Sequence, residues 1–235
     1  MARTDHMPPL YRNLLLLLLV VLSLAFWNSI LLTPIKLFVV LLHELSHALA
    51  AIVTGGSVEY IEIDARIGGL AVTRGGWTWL VVSSGYLGSM LLGSGILLAS
   101  VRTRGARLLS AGIGVVVLTI TAVFVRNGFG LLFGALFGAA MLAAARFLPS
   151  PWLPMLMQYL GTISCLYALV DVQEDLLTFE HRMTDASIMA SHTGIPALVW
   201  GVLWSILALL VLLLTLRIVW RASAVPITPE RGGNV

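Results

Sequence analysis

Long apolar segments are the feature that most constrains how this chain can fold. The hydrocarbon core of a membrane is roughly 30 Å thick and a helix rises about 1.5 Å per residue, so a spanning helix needs about 20 apolar residues. Charged residues make up only 11% of the chain, too few to cover a soluble domain of 235 residues. The sequence therefore predicts an all-α membrane protein, a polytopic bundle of about six or seven transmembrane helices. Seven apolar segments are candidates for these helices: residues 14–32, 35–53, 77–101, 108–125, 129–147, 152–170 and 195–219.

One stretch between the second and third apolar segments has a different pattern. Apolar and acidic side chains partly alternate in SVEYIEID, and a Gly-Gly pair then precedes LAVTR. This pattern predicts a small β-hairpin at about residues 57–76. The remaining organisation is simple: residues 1–221 are expected to form a single polytopic membrane domain, and residues 222–235 a disordered tail.

The charges and the cysteine content exclude several classes of function. The formal net charge is +3, and no basic run is long enough to follow a nucleic-acid backbone, so no nucleic-acid partner is expected. The single cysteine, Cys165, excludes an intramolecular disulfide framework and a Cys-rich metal site. The expected partners are membrane lipid and a membrane-protein substrate, and no oligomeric state is predicted.

The segment HELSH lies in the second apolar segment and predicts a metal site. Residues four apart share one face of a helix, so the imidazoles of His43 and His47 can bind one metal ion. Glu44 follows the first histidine, where it can take a proton from a water on that metal. Ionisable side chains are costly inside a membrane, which favours a functional reading of all three residues over a chance match.

A third metal ligand is expected, because catalytic zinc usually has three protein ligands and one open position. Asp171 is the first choice, because the end of the sixth apolar segment can place it at the depth of His47. Asp175, one turn further along the same helical face, and Asp185 are the alternatives. Asp185 also follows Thr184, so it can simply stabilise the first turn of a short helix.

Several segments together resemble the site-2-protease family of intramembrane zinc metallopeptidases, in particular its B-like subgroup. They are HELSHALAAIVTGG, GGLAVTRGG, SGYLGS, VRNGFG, and DVQEDL followed by TDA and TGIP, which span about residues 41–204. The resemblance implies zinc as cofactor, held by His43 and His47, with Glu44 as catalytic acid and base. It also implies that SGYLGS packs as a glycine-rich helix beside the site. The better-known members supply the third ligand from an L-D-G motif, which this chain lacks.

These features predict a membrane-embedded zinc metalloendopeptidase that cleaves a transmembrane or juxtamembrane peptide bond. The subgroup is found widely in bacteria and plants, and the expected location of this multi-pass protein is a bacterial cell membrane. An exposed edge of the hairpin could pair with an unwound substrate. Two alternatives stay open: a non-catalytic metal-binding scaffold or regulator, and an ion transporter, for which the expected matched pair of broken helices is missing from the sequence.

Overall fold

The computed structural model describes residues 8–100, 103–177 and 184–224. Within these ranges, six helices are long and apolar enough to cross a membrane, which confirms the predicted class. They are α2, α3, α4, α5, α6 and α8 of the following series. In chain order the elements are α1 (Pro9–Ala25), a 3-10 turn (Ile30–Leu32), α2 (Thr33–Val53), β1 (Ser57–Asp64), β2 (Gly68–Arg74), α3 (Thr78–Ser100), α4 (Thr103–Phe124), α5 (Gly128–Phe147), α6 (Trp152–Leu177), α7 (Asp185–Thr193) and α8 (Ala197–Ala224).

The first predicted span differs from the structure, because residues 14–32 do not form one helix. Helix α1 ends at Ala25, and the side chain of Ser29 accepts a hydrogen bond from the backbone N–H of Leu31. This bond caps the separate 3-10 turn that leads into α2, so the chain bends where the sequence suggests continuity. At the other end of the chain, residues 222–224 of the predicted tail continue α8, and residues 225–235 lie outside the described residues.

Helices α2, α3 and α6 form the centre of the bundle, and α4, α5 and α8 expose most of their apolar side chains to lipid. Glycines allow the central helices to pack closely: a methyl group on Gly161 of α6 would lie 2.6 Å from the backbone nitrogen of Leu97 in α3. Close approach through small residues is a common way of packing helices in membranes. The central helices therefore form a rigid frame around the face of α2 that carries HELSH.

The hairpin folds back along α2 and packs against the bundle through one face. Its strands are antiparallel, and Ile61 pairs with Ala71 and Ile63 with Gly69. Ile61 and Ile63 are 0% and 1% exposed, because the inner face of β1 packs into the main apolar core. Gly69 of β2 contacts Val40 in the middle of α2, although the hairpin begins directly after the end of that helix. The hairpin between α2 and α3 thus follows α2 back to the depth of HELSH.

Candidate metal centre

The two histidines of HELSH lie one turn apart in α2, with their ring centroids 4.7 Å apart. Helix α2 begins at Thr33 with Pro34 in its first turn, a position that suits proline because no intrahelical N–H bond is lost there. The Nδ1 atom of His47 lies 2.7 Å from the backbone carbonyl oxygen of Val81 in α3. Because Nδ1 must donate in this hydrogen bond, the lone pair of Nε2 is left available for a metal ion.

Asp185 completes the group from α7. Thr184 caps this helix, and its side chain and that of Ser187 form a reciprocal capping box. The cap places Asp185 in the first turn, with its Oδ2 atom 3.2 Å from the Nε2 atoms of both His43 and His47.

The donor atoms of this group fit a zinc ion. Among the described residues, His43, His47 and Asp185 form the one group of three such side chains, with ligand atoms within 4.8 Å of one another. The 3.2 Å separations between Asp185 Oδ2 and the two Nε2 atoms are close to the roughly 3.4 Å edge of a tetrahedron with metal–ligand bonds of about 2.1 Å. Asp185 Oδ2 is also buried without a hydrogen-bond partner, a costly state that a bound cation would relieve.

Asp171, the first choice from the sequence, lies on the opposite side of the His43 ring. Its Oδ2 atom is 3.8 Å from Nδ1 of His43, whereas Asp185 faces Nε2 of the same ring. His43 is therefore placed between two carboxylates. Helix α6 continues to Leu177, so Asp171 lies within the helix and not at its end. The side chain of Asp175, the second candidate, lies outside the described part of the structure.

The SGYLGS segment of α3 packs directly against the two histidines. A methyl group on Gly85 would overlap Nε2 of His43 and lie 2.5 Å from Nε2 of His47. The ring of Tyr86, which is 2% exposed, packs edge-on against His43 with a centroid distance of 4.8 Å. Because Gly85 has no side chain, both ligand nitrogens have space beside α3. SGYLGS thus packs beside the site as a glycine-rich helical segment, as the resemblance implies.

Glu44 lies next to the histidines and faces strand β2. Its side chain is 6% exposed, and a methyl group on Gly69 would lie 2.5 Å from its Oε1 atom. The backbone of Ala71 is within hydrogen-bonding range of the same carboxylate. This contact between the hairpin and Glu44 was not predicted from the sequence, although the Gly68-Gly69 pair is a pattern that indicates close backbone approach.

A cavity of about 890 Å³ joins these features. The histidines, Glu44 and both aspartates line it together with β2, and it extends along α2 to Lys36. The ammonium group of Lys36 lies 4.4 Å above the ring of Trp27. The space beside the candidate metal centre is large enough for several residues of an extended peptide, because drug-sized ligands fill pockets of about 300–1,000 Å³.

Comparison with known proteins gives one match. The family model described as Peptidase M50B-like matches residues 16–215, from the middle of α1 into α8. Searches of curated proteins and of solved structures returned no match. The resemblance found in HELSH and the segments after it is thus confirmed over most of the sequence, and the chain belongs to the Peptidase M50B-like family.

Proposed function

We propose that this protein is an intramembrane zinc endopeptidase that cleaves a transmembrane or juxtamembrane peptide bond. The observation that carries the proposal is the convergence of His43, His47 and Asp185 within 4.8 Å, beside the buried carboxylate of Glu44. Family membership implies a metallopeptidase, and the six apolar helices make it a multi-pass membrane protein. A bacterial cell membrane is its proposed location, since the subgroup that it resembles is found widely in bacteria, as well as in plants.

Each residue has a distinct role in the proposed reaction. His43, His47 and Asp185 would hold the metal, with the Nε2 atoms of the histidines and Oδ2 of Asp185 as the candidate ligand atoms. A zinc ion bound by such a set supplies Lewis-acid activation of a water molecule and of the scissile carbonyl. The Glu44 carboxylate takes a proton from the attacking water and then donates it to the nitrogen of the leaving amine.

Asp185 is proposed as the third ligand in preference to Asp171. A ligand of the same ion must face the nitrogens that bind it, and Asp185 Oδ2 is equidistant from the two Nε2 atoms. Asp171 faces Nδ1 of His43 at 3.8 Å, which is longer than a hydrogen bond. A small approach would let its carboxylate accept a hydrogen bond from Nδ1, which would orient the ring and increase the basicity of Nε2. The proposed role of Asp171 is therefore to hold the first ligand in place.

The position of the hairpin favours a substrate that binds in an extended conformation. A transmembrane helix must unwind before a peptide bond can reach the metal, and its exposed N–H and C=O groups then need new partners. Strand β2 lines the cavity beside Glu44 and can offer its backbone groups to such a segment. We propose that the substrate binds along β2 as an added strand, with the scissile bond next to Glu44.

A library of synthetic transmembrane peptides tests this function. Each peptide carries one apolar helix interrupted at a different depth by a helix-breaking Asn-Gly or Gly-Pro pair, and mass spectrometry identifies the products formed by the purified protein. Zinc-loaded wild-type protein should cleave peptides near the interruption. Glu44→Gln should retain zinc and cleave none, because glutamine cannot accept the proton. The absence of cleavage by zinc-loaded wild-type protein would contradict the peptidase and favour a metal-binding scaffold.

A further inference from the structure

The turn between α4 and α5 pairs with the outer edge of β1. Val125 forms a parallel bridge with Ile61, and the backbone N–H of Arg126 donates to the carbonyl oxygen of Ile61 at 3.1 Å. The side-chain amide of Asn127 then makes two bonds to Ile63: Nδ2 donates to its carbonyl oxygen at 2.7 Å, and Oδ1 accepts from its N–H at 3.1 Å. The side-chain amide of Asn127 thus makes the two hydrogen bonds that the backbone of a third strand would make to Ile63.

These bonds also show which backbone groups of β2 point away from β1. Residues opposite each other in an antiparallel pair both point their N–H and C=O groups either toward the partner strand or away from it. Ile61 and Ile63 point theirs outward to the α4–α5 turn, so their partners Ala71 and Gly69 point theirs to the opposite edge. Among the described residues no strand pairs with that edge, and Glu44 contacts the backbone of Ala71 there.

A simpler explanation for Asn127 is that it caps α5. It does occupy the N-cap position, and asparagine is favoured there. However, its side chain makes no capping hydrogen bond, because both of its polar atoms bind Ile63. The side chain is therefore used to fix the hairpin.

We propose that Asn127 is a positioning residue of the active site. By closing the outer edge of β1 it fixes the depth of the hairpin, so that the outward backbone groups of Gly69 and Ala71 stay beside Glu44. The inference rests on the proposed function, because the edge fixed in this way is the one that a substrate would use. Its chemistry requires both a donor and an acceptor at residue 127, which an amide has and a carboxylate lacks.

Two variants of the purified full-length protein separate the two roles of Asn127. Asn127→Ala removes both bonds to Ile63. Asn127→Asp introduces a residue that is equally favoured at a helix N-cap but places a carboxylate against the Ile63 carbonyl oxygen, which it repels. The exposed Asn13 of α1 provides the matched control, Asn13→Ala. Hydrogen–deuterium exchange of residues 57–74, zinc content and the kcat/KM of the best-cleaved synthetic peptide are measured for each.

Both Asn127 variants should exchange the hairpin amides about tenfold faster, as expected from the loss of one or two hydrogen bonds. The kcat/KM should fall by a similar factor while zinc content and exchange in α5 stay at wild-type values. Wild-type behaviour of Asn127→Asp would show that Asn127 is only a helix cap, and loss of zinc or of α5 protection in both variants would show a general structural role. Either result overturns the proposal. Faster hairpin exchange together with no cleavage by wild-type protein would instead contradict the proposed function alone.

Discussion

Replacing Gly85 with alanine should remove zinc from the protein without unfolding it. The new methyl group would lie 2.5 Å from Nε2 of His47 and 2.6 Å from Cε1 of His43. Ordinary contact begins at 3.4 Å, so at least one ring would have to move by about 0.9 Å. Metal–ligand bonds tolerate shifts of only about 0.2 Å, so a displacement of this size breaks ligation.

The expected loss of affinity follows from the number of ligands. Zinc sites contribute about 10–16 kcal/mol in total, so one of about four ligands accounts for about 3 kcal/mol, roughly a hundredfold in affinity. Helix propensity acts in the opposite direction, because alanine is favoured over glycine in a helix by up to about 1 kcal/mol. A loss of zinc in Gly85→Ala therefore cannot be attributed to a weakened α3.

Competition with a graded series of chelators, followed by metal analysis, measures the change. Gly95→Ala is the matched control, because Gly95 lies in the same helix and a methyl group there meets nothing within 4 Å. The control should retain wild-type zinc affinity and an equal or higher melting temperature. Wild-type zinc affinity in Gly85→Ala would refute metal binding through the two Nε2 atoms that lie beside Gly85.

Three further predictions concern Glu44, the two aspartates and the metal itself. Gly69→Ala should lower peptide cleavage at least tenfold with zinc retained, because the added methyl group displaces Glu44 and not a ligand. Gly68→Ala is the control and should cleave as wild type does, because its methyl group would lie 3.8 Å from the nearest atom, Cβ of Asp64. In chelator competition, Asp185→Asn should weaken zinc binding by roughly a hundredfold, and Asp171→Asn by about 10–100-fold, the usual effect of removing a partner that orients a ligand. A larger loss in Asp171→Asn would make Asp171 the ligand. Removal of zinc by a chelator should abolish cleavage, and added zinc should restore it; cleavage by metal-free protein would contradict a metallopeptidase.

The parts of the fold that depend on local pattern could be predicted from the sequence. Apolar length predicts seven spanning segments, and six of them correspond to the long apolar helices of the structure. The i, i+4 spacing places His43 and His47 on one face of α2. The alternation in SVEYIEID predicts the hairpin. Each of these features is determined by residues that are close together in the chain, so no knowledge of packing is needed.

The third ligand and the contacts of the hairpin depend on packing between distant elements. The position of Asp171 along its apolar segment favours it as a ligand, because it can lie at the membrane depth of His47; that it binds the metal stays a prediction. The side of the His43 ring that Asp171 faces depends on how α6 packs beside α2. Asp185 has the local pattern of a helix-start residue, and its approach to the histidines depends on where α7 packs. Likewise, Ile63 and Asn127 are separated by 64 positions in the sequence, so no local pattern predicts their hydrogen bonds.

Zinc K-edge X-ray absorption of the purified protein tests the central claim most directly. We predict one zinc per chain, with two imidazole nitrogens and one carboxylate oxygen at about 2.0–2.2 Å. The fourth position should hold a light atom, as expected for a water ligand. Asp185→Asn should change the oxygen ligation, whereas Glu44→Gln should leave the two-imidazole spectrum intact. A protein without stoichiometric zinc, or a spectrum with fewer than two imidazoles, would contradict the proposed site.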